Sequence, residues 1–306
     1  MIIDLDHNLK LIRPEGKAMF PYCNSIYIDD EIKTLIDAGS GGNAYQEIPK
    51  AEIGLILLSH SHFDHTHGLG YFPQARIMAG IEEQYAFQDE NKFYITAGFQ
   101  RWEELMGSKK DEKMTTQTPL PDDVLVKPGF RKVELSGVFK DGDEIVVGST
   151  RLIALHTPGH SVGHYGFYFP DQKILFSGDM DISPRGPWYG GYDSDFGAVV
   201  ASVEKLIALE PEVLVTSHRK LFFEDIEKRL REYIQIALDR DHKIMTYLHE
   251  PRTLEEIAGQ ELGFYELGKT AFNVFWSKVM ILKHLEFHIK NGEVEDLGNY
   301  IYARIK

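Results

Sequence analysis

The chain has a single cysteine, Cys23, among 306 residues. An internal disulfide is therefore excluded, and any metal site must draw on histidine and carboxylate in place of thiolate. Cys23 itself reads as a small hydrophobic residue near a strand. No apolar run reaches the length needed to span a bilayer. The N-terminus, Met1-Ile2-Ile3-Asp4-Leu5-Asp6-His7, starts with acids and has no basic region ahead of a long apolar stretch, so no secretory signal is read and a cytoplasmic location is expected. Excess positive charge is lacking too. A formal net charge of -14 disfavours a long polyphosphate partner held by surface basic residues, so nucleic acid is not the expected partner. A small anionic substrate at a local cation is compatible with that balance. Nearly all of the acid excess lies before His218; the remainder is close to neutral and shows no basic stripe. The hydrophobic content of 43% suffices for one large domain plus a small one.

What is present is a dense cluster of metal donors. Ile53-Gly54-Leu55-Ile56-Leu57-Leu58 reads as a buried strand, too short and too aliphatic for a surface helix. It runs straight into Ser59-His60-Ser61-His62-Phe63-Asp64-His65-Thr66-His67-Gly68. His60, His62, Asp64 and His65 thus stand within six residues at a strand end, a set of nitrogen and oxygen donors that suits a divalent metal. In extended backbone His60 and His62 project to one side, while a tighter turn through Asp64 and His65 can aim those two elsewhere. One segment can feed two ions.

This H-x-H-x-D-H pattern resembles the signature motif of the metallo-β-lactamase superfamily, and further stretches resemble that family in the expected order. Ahead of it, Asn24 to Ile28 and Thr34 to Asp37 flank the acidic turn Asp29-Asp30-Glu31, a hairpin signal, and run into Ala38-Gly39-Ser40-Gly41-Gly42. There the resemblance implies that Asp37 supports the metal loops, whereas spacing alone allows a turn-capping Asp. Thr157-Pro158-Gly159-His160-Ser161 ends a strand over Thr150 to His156 and resembles the family's T-P-G-H-S/T motif, so His160 is carried over as a ligand. His67, His156 and His164 read as orienting or core histidines. Ser177-Gly178-Asp179 follows a hairpin over Tyr165 to Tyr168 and Lys173 to Phe176 and matches the family's metal-bridging aspartate, with the small residue before it letting the backbone approach the ion. Ser217-His218 follows the strand Glu212 to Thr216; the family often has glycine before this histidine. The segment Pro184 to Tyr192 joins aromatics to glycines, and there Tyr189 or Tyr192 can donate to an oxyanion at a substrate wall, with ordinary loop packing as the alternative.

The resemblance covers about residues 20 to 220 and implies an α/β chain with an αββα metallo-β-lactamase sandwich over residues 1–220. Residues from about 85 to 132 form an excursion with aromatics and prolines, expected to be partly helical and a candidate lid. After residue 220 the period changes: Ile226, Leu230, Ile234 and Leu238 share one helix face, Thr253-Leu254-Glu255-Glu256 is a capping box, and Thr270 to Lys290 is a helix stopped by Asn291-Gly292. A terminal hairpin then suggests a winged-helix-like domain over 221–306, packing on the first domain or in a homo-oligomer and without the basic recognition helix of a DNA reader.

The resemblance further implies one metal held by His60, His62 and His160, and a second by Asp64, His65 and His218, with Asp179 bridging. Two divalent ions are expected, zinc by the donor set, with iron or manganese able to use the same ligands. Such a pair can bring water to hydroxide near neutral pH, and Asp64 can orient it and take up a proton. The expected activity is hydrolysis of a small ester, thioester or lactone-type substrate. Three rivals share the pattern: a redox diiron member, which usually carries Glu where His62 stands; an RNA-cleaving member, which the acidic surface disfavours; and a non-catalytic metal-binding module.

Overall fold

A computed structural model describes residues 1–96, 98–110, 119–262 and 270–305. The Asp111-Glu112-Lys113 part of the excursion's charged run lies outside them. Two mixed sheets carry the first part of the chain. One holds β1 (Ile2–Asp4), β2 (Leu9–Ile12), β3 (Ser25–Ile28), β4 (Thr34–Ile36), β5 (Leu55–Leu58), β6 (Arg76–Gly80) and β7 (Gly137–Phe139) in that order. The other holds β8 (Glu144–Val146), β9 (Arg151–His156), β10 (Tyr165–Phe169), β11 (Ile174–Phe176) and β12 (Val213–Val215), also in sequential order. The acidic turn Asp29 to Glu31 does join an antiparallel pair, with Ile26 opposite Ile36.

The short helices α1 (Phe63–Thr66), α2 (Gln84–Gln88), α3 (Glu90–Thr96) and α4 (Trp102–Met106) precede the second sheet, and α5 (Phe196–Ile207) lies between β11 and β12. Then come α6 (Ile226–Tyr247), α7 (Leu254–Ala258) and α8 (Ala271–Lys290), with β13 (Arg252–Thr253), β14 (Val294–Asp296) and β15 (Ile301–Arg304) in a small third sheet.

The inner faces of the two large sheets share one core, in which Leu9, Leu11, Ile26, Ile28, Ile36, Leu55 and Leu57 meet Leu152, Ala154, Tyr165, Phe167 and Phe176. Strands alternate their side chains between faces, so Leu35, Ile56 and Leu58 point the other way and pack with Tyr45, Phe72 and Phe87. On the far face of the second sheet, Leu155, Leu175 and Leu214 meet Val199, Val203 and Leu206 of α5 and Leu230 and Ile234 of α6. This is the αββα layering. Helix α5 starts where the Asp195 side chain accepts from Ala198 N at 2.7 Å, a cap contributing about 1 kcal/mol.

The expected face of α6 is corrected at its fourth position. Ile226, Leu230 and Ile234 are buried, but Leu238 is 37% exposed and Ala237 is buried in its place. Three steps of four residues overshoot a 3.6-residue turn by roughly 120°, while eleven residues return close to the starting azimuth. The Thr253 capping box forms as expected, and the helix read over Thr270 to Lys290 is α8, with Thr270 as its N-cap. In the excursion, Trp102 and Leu105 of α4 pack into a core with Ile244, Phe275, Val279 and Leu285 of α6 and α8.

Candidate metal centre

Strands β9, β11 and β12 run the same way, since β10 is antiparallel to both β9 and β11 and β11 is parallel to β12. Their C-terminal ends lie on one edge of the sheet, where they deliver His160, Asp179 and His218. Strand β5 of the facing sheet ends at the same place and delivers His60, His62, Asp64 and His65. Its turn is closed by Ala38 N–H donating to His65 O at 2.8 Å and His65 N–H to His62 O at 3.1 Å. Gly39 permits this approach: a Cβ there would fall 1.5 Å from Asp64 O.

Besides a buried set of Cys23, Asp37 and His65, two groups of donors form at the strand ends. His60, His62, His160 and Asp179 each offer an atom within 4.8 Å of the others, and so do Asp64, His65 and His218. Asp179 lies between the groups. Its Oδ1 is 3.1 Å from His65 Nε2 and 3.3 Å from His218 Nε2, and its Oδ2 is 3.3 Å from His160 Nε2. His218 Nε2 is also 3.4 Å from Asp64 Oδ2, and His62 Nδ1 faces His160 Nε2 at 2.9 Å.

The hydrogen bonds behind the rings decide which nitrogen faces inward. His65 Nδ1–H donates to Asp37 Oδ2 at 2.7 Å, and His160 Nδ1–H to Trp188 O at 3.1 Å. Ser59 Oγ donates to Asp37 Oδ2 at 2.7 Å and so is left to accept from His60 Nδ1 at 3.0 Å. With Nδ1 turned to these partners, all three rings direct Nε2 into the centre, the orientation in which each would offer a lone pair to a bound metal. Among the described residues, His60 Nε2, His65 Nε2 and Asp179 Oδ1 are buried with no hydrogen-bond partner. Buried polar atoms are rarely orphaned, and imidazole with carboxylate is the donor set of zinc, iron or manganese. The residues fit divalent metal ions.

Charge follows the same pattern. Burial lowers the basicity of His62 and His160 to about 4 and that of His60 well below its ordinary value. Burial opposes charge on His218 as well, but Asp179 and then Asp64 outweigh it and raise its pKa to about 9. Three carboxylates, Asp37, Asp64 and Asp179, thus create a field that favours cations in a dry pocket.

Asp37 is buried at the end of β4 in a left-handed backbone conformation (φ 60°). It also accepts from Ser59 N at 2.8 Å, so it braces both the motif's backbone and His65. His164 Nδ1–H donates to Thr157 O at 3.0 Å, and its Nε2 accepts from Asp179 N at 3.0 Å. It orients the aspartate. A Cβ on Gly178 would lie 2.5 Å from His164 Nε2, so the small residue before Asp179 makes room for this imidazole. His156 lies apart, its Nε2–H donating to Val162 O at 2.8 Å across the His160 loop. His67 is buried against Gly39 O at 3.1 Å.

Tyr189 needs a second correction. It is fully buried, and its hydroxyl contacts His284 Nε2 at 2.8 Å and Arg240. A phenol locked between two C-terminal helices cannot donate to an oxyanion. Tyr192 is 45% exposed, and its carbonyl accepts from Lys283 Nζ at 2.7 Å. Trp188 is the ring of this segment that lies beside the centre, its centroid 5.1 Å from that of His160 and 5.8 Å from that of His62.

Sequence reading missed Ser59, Glu83 and the Trp188 carbonyl. The position of Ser59 directly before His60 was the only signal for it. Glu83 had none: it follows β6, yet its Oε1 accepts from Ser61 N at 2.8 Å and Ser61 Oγ at 2.6 Å, between the first two histidines.

Comparison with known proteins adds to this geometry. The model of the metallo-beta-lactamase superfamily matches residues 19–218. Acyl-coenzyme A thioesterase MBLAC2 of Homo sapiens is 31% identical over 136 residues, 41% of this chain and 40% of that protein. A hydroxyacylglutathione hydrolase of Cereibacter sphaeroides is 26% identical over 194 residues, 59% of this chain and 58% of that protein. The chain thus spans less than two thirds of either relative. The crystal structure of a metallo-beta-lactamase family protein from Thermus thermophilus aligns with a TM-score of 0.71 at 22% identity, over 99% of this chain and 100% of that one. At that identity the likeness is one of fold.

Proposed function

The chain belongs to the metallo-β-lactamase superfamily, and on that premise we propose that it is a metal-dependent hydrolase of small thioesters, with esters and lactones as the wider class. One observation above all supports the reading: the two oxygens of Asp179 face opposite donor groups, His160 on one side and His65 with His218 on the other. His60, His62 and His160 would hold one ion and Asp64, His65 and His218 the other, with Asp179 shared. Zinc suits this nitrogen and oxygen set. When bound, such ions supply Lewis acidity that polarises an acyl carbonyl and lowers the pKa of water to about 7.

The chain's own residues do the rest. Asp64 takes up the proton released by the attacking water and returns it to the leaving thiolate as the acyl carbon–sulfur bond breaks, so a carboxylic acid and a thiol are released. Asp37 and Ser59 hold His60 and His65 with their Nε2 atoms inward, and the Trp188 carbonyl does so for His160. The Trp188 ring covers one side of the centre and limits water there. A thioester is favoured within the class because two relatives carry thioester-hydrolase names. The C-terminal part, read as winged-helix-like, serves this site by buttressing the Pro184 to Tyr192 segment through Tyr189 and Lys283.

Metal analysis joined to a hydrolysis panel of thioesters, esters, lactones and phosphodiesters tests the proposal. The purified protein should hold metal and cleave a thioester; chelation should abolish turnover and metal return restore it. His62→Ala and Asp179→Ala should each lose metal and turnover together while circular dichroism stays native. Full turnover in either variant would sink the assignment, and a visible spectrum of redox-active iron without hydrolysis would favour the diiron rival.

A further inference from the structure

The last part of the excursion runs back over α1, the short helix that carries Asp64 and His65. Asp123 anchors this part: its side chain accepts from Tyr22 and from Asn43 N at 3.2 Å, and its carbonyl from Tyr71 Oη at 2.9 Å. Further on, Arg131 reaches α1, where its Nη2 donates to Thr66 Oγ1 at 3.1 Å and its guanidinium lies 5.8 Å from the Phe63 ring centre. Phe63 directly precedes Asp64 and Thr66 directly follows His65, so this cation covers the turn that supplies two donors of the centre.

Arg131 is half-buried, and its buried Nε has no hydrogen-bond partner among the described residues. It forms no ion pair with a described carboxylate, and burial, which disfavours its charge, meets no opposing acid. Arg219 and Arg101, also half-buried, do have such partners: Arg219 lies 3.5 Å from Asp181 and Arg101 3.2 Å from Glu104. In a chain of net charge -14, this arginine has no ion pair with a described carboxylate although it lies on the turn that supplies Asp64 and His65. A guanidinium stays charged and presents a planar fork matched to carboxylate and phosphate. Apolar surface adjoins it, for Phe63 packs on Phe20, itself 62% exposed, at 5.7 Å between ring centres.

We propose that Arg131 is the receptor for an anionic group of the substrate, a carboxylate or a phosphate, held beside the metal centre. This rests on the hydrolase reading and narrows its substrate class to negatively charged thioesters.

Thioester pairs differing by one anion test it: S-butyryl phosphopantetheine against S-butyryl pantetheine, S-butyryl mercaptopropionate against its primary amide, and S-succinyl pantetheine against its succinamoyl analogue. The first pair reports phosphate, the others carboxylate on the thiol or the acyl side. The metal-loaded protein should favour the charged member of at least one pair by about 10- to 100-fold in kcat/KM, mainly through KM, the range of a charge-assisted hydrogen bond. Arg131→Gln, which keeps a donor for Thr66, should bring that ratio to about one, and Arg131→Lys should keep part of it. No preference in any pair, or an undiminished preference in Arg131→Gln, overturns the proposal. Calorimetry with the uncleavable thioethers S-butyl phosphopantetheine and S-butyl pantetheine, S-butyl mercaptopropionate and its amide, and the S-(3-carboxypropyl) and S-(3-carbamoylpropyl) ethers of pantetheine measures the same ratios as Kd. If nothing is cleaved but thioether discrimination depends on Arg131, the hydrolase reading fails and the anion site stands; cleavage without discrimination means the reverse.

Discussion

Glu83 gives the sharpest test of how the centre is held. Its carboxyl is 1% exposed and ties the Ser61 backbone and hydroxyl, between His60 and His62, to the end of β6. Burial, and after it the nearby Asp193, raise its pKa from 4.5 to about 7. A carboxyl whose pKa rises on folding contributes stability that is fully present below the unfolded value and is lost as pH climbs through the folded one. A rise of that size corresponds to about 3 kcal/mol in total, of which about 1 kcal/mol is lost above pH 6. Glutamine keeps an oxygen for Ser61 and does not titrate. Glu83→Gln should therefore gain on the wild type with pH, the difference in unfolding free energy shifting by about 3 kcal/mol in favour of the variant between pH 4.5 and 8. Urea unfolding of both metal-loaded proteins at several pH values measures it. A difference that stays flat with pH, or moves the other way, refutes the buried-acid account.

Two further outcomes follow from the site. Asp37→Asn leaves the donor atoms in place but removes the charge behind His65 and Ser59; metal affinity, read by chelator competition, should fall about 10- to 100-fold, and wild-type affinity would mean that Asp37 does not brace the centre. Tyr189→Phe removes a buried hydroxyl bonded to Arg240 and His284 and should cost about 1–3 kcal/mol of stability, measured by denaturant midpoint. Loss of an oxyanion donor would instead lower kcat about 100-fold or more, and that result would return Tyr189 to the substrate wall.

Much of the donor set was legible because it is local. Four of its members stand within six residues behind an aliphatic run, and a strand that ends in a loop exposes its last side chains whatever the rest of the chain does. His160, Asp179 and His218 were legible as strand-end residues in order, through resemblance more than through any property of each alone. Local rules likewise foretold the Thr253 capping box and the start of α8 at Thr270. Other features depend on distances in space that no local pattern encodes. Whether Tyr189 faces substrate or core was decided by α6 and α8 bringing Arg240 and His284 to its hydroxyl. Glu83 became a clasp only because β5 and β6 are neighbours in one sheet, and Arg131 lies over α1 only because the excursion folds back across it. Residue type and spacing determine which atoms can bind a cation. The packing of separate strands and loops decides which polar groups stand behind those atoms, since a hydrogen bond requires approach to about 3 Å between residues that the sequence sets far apart.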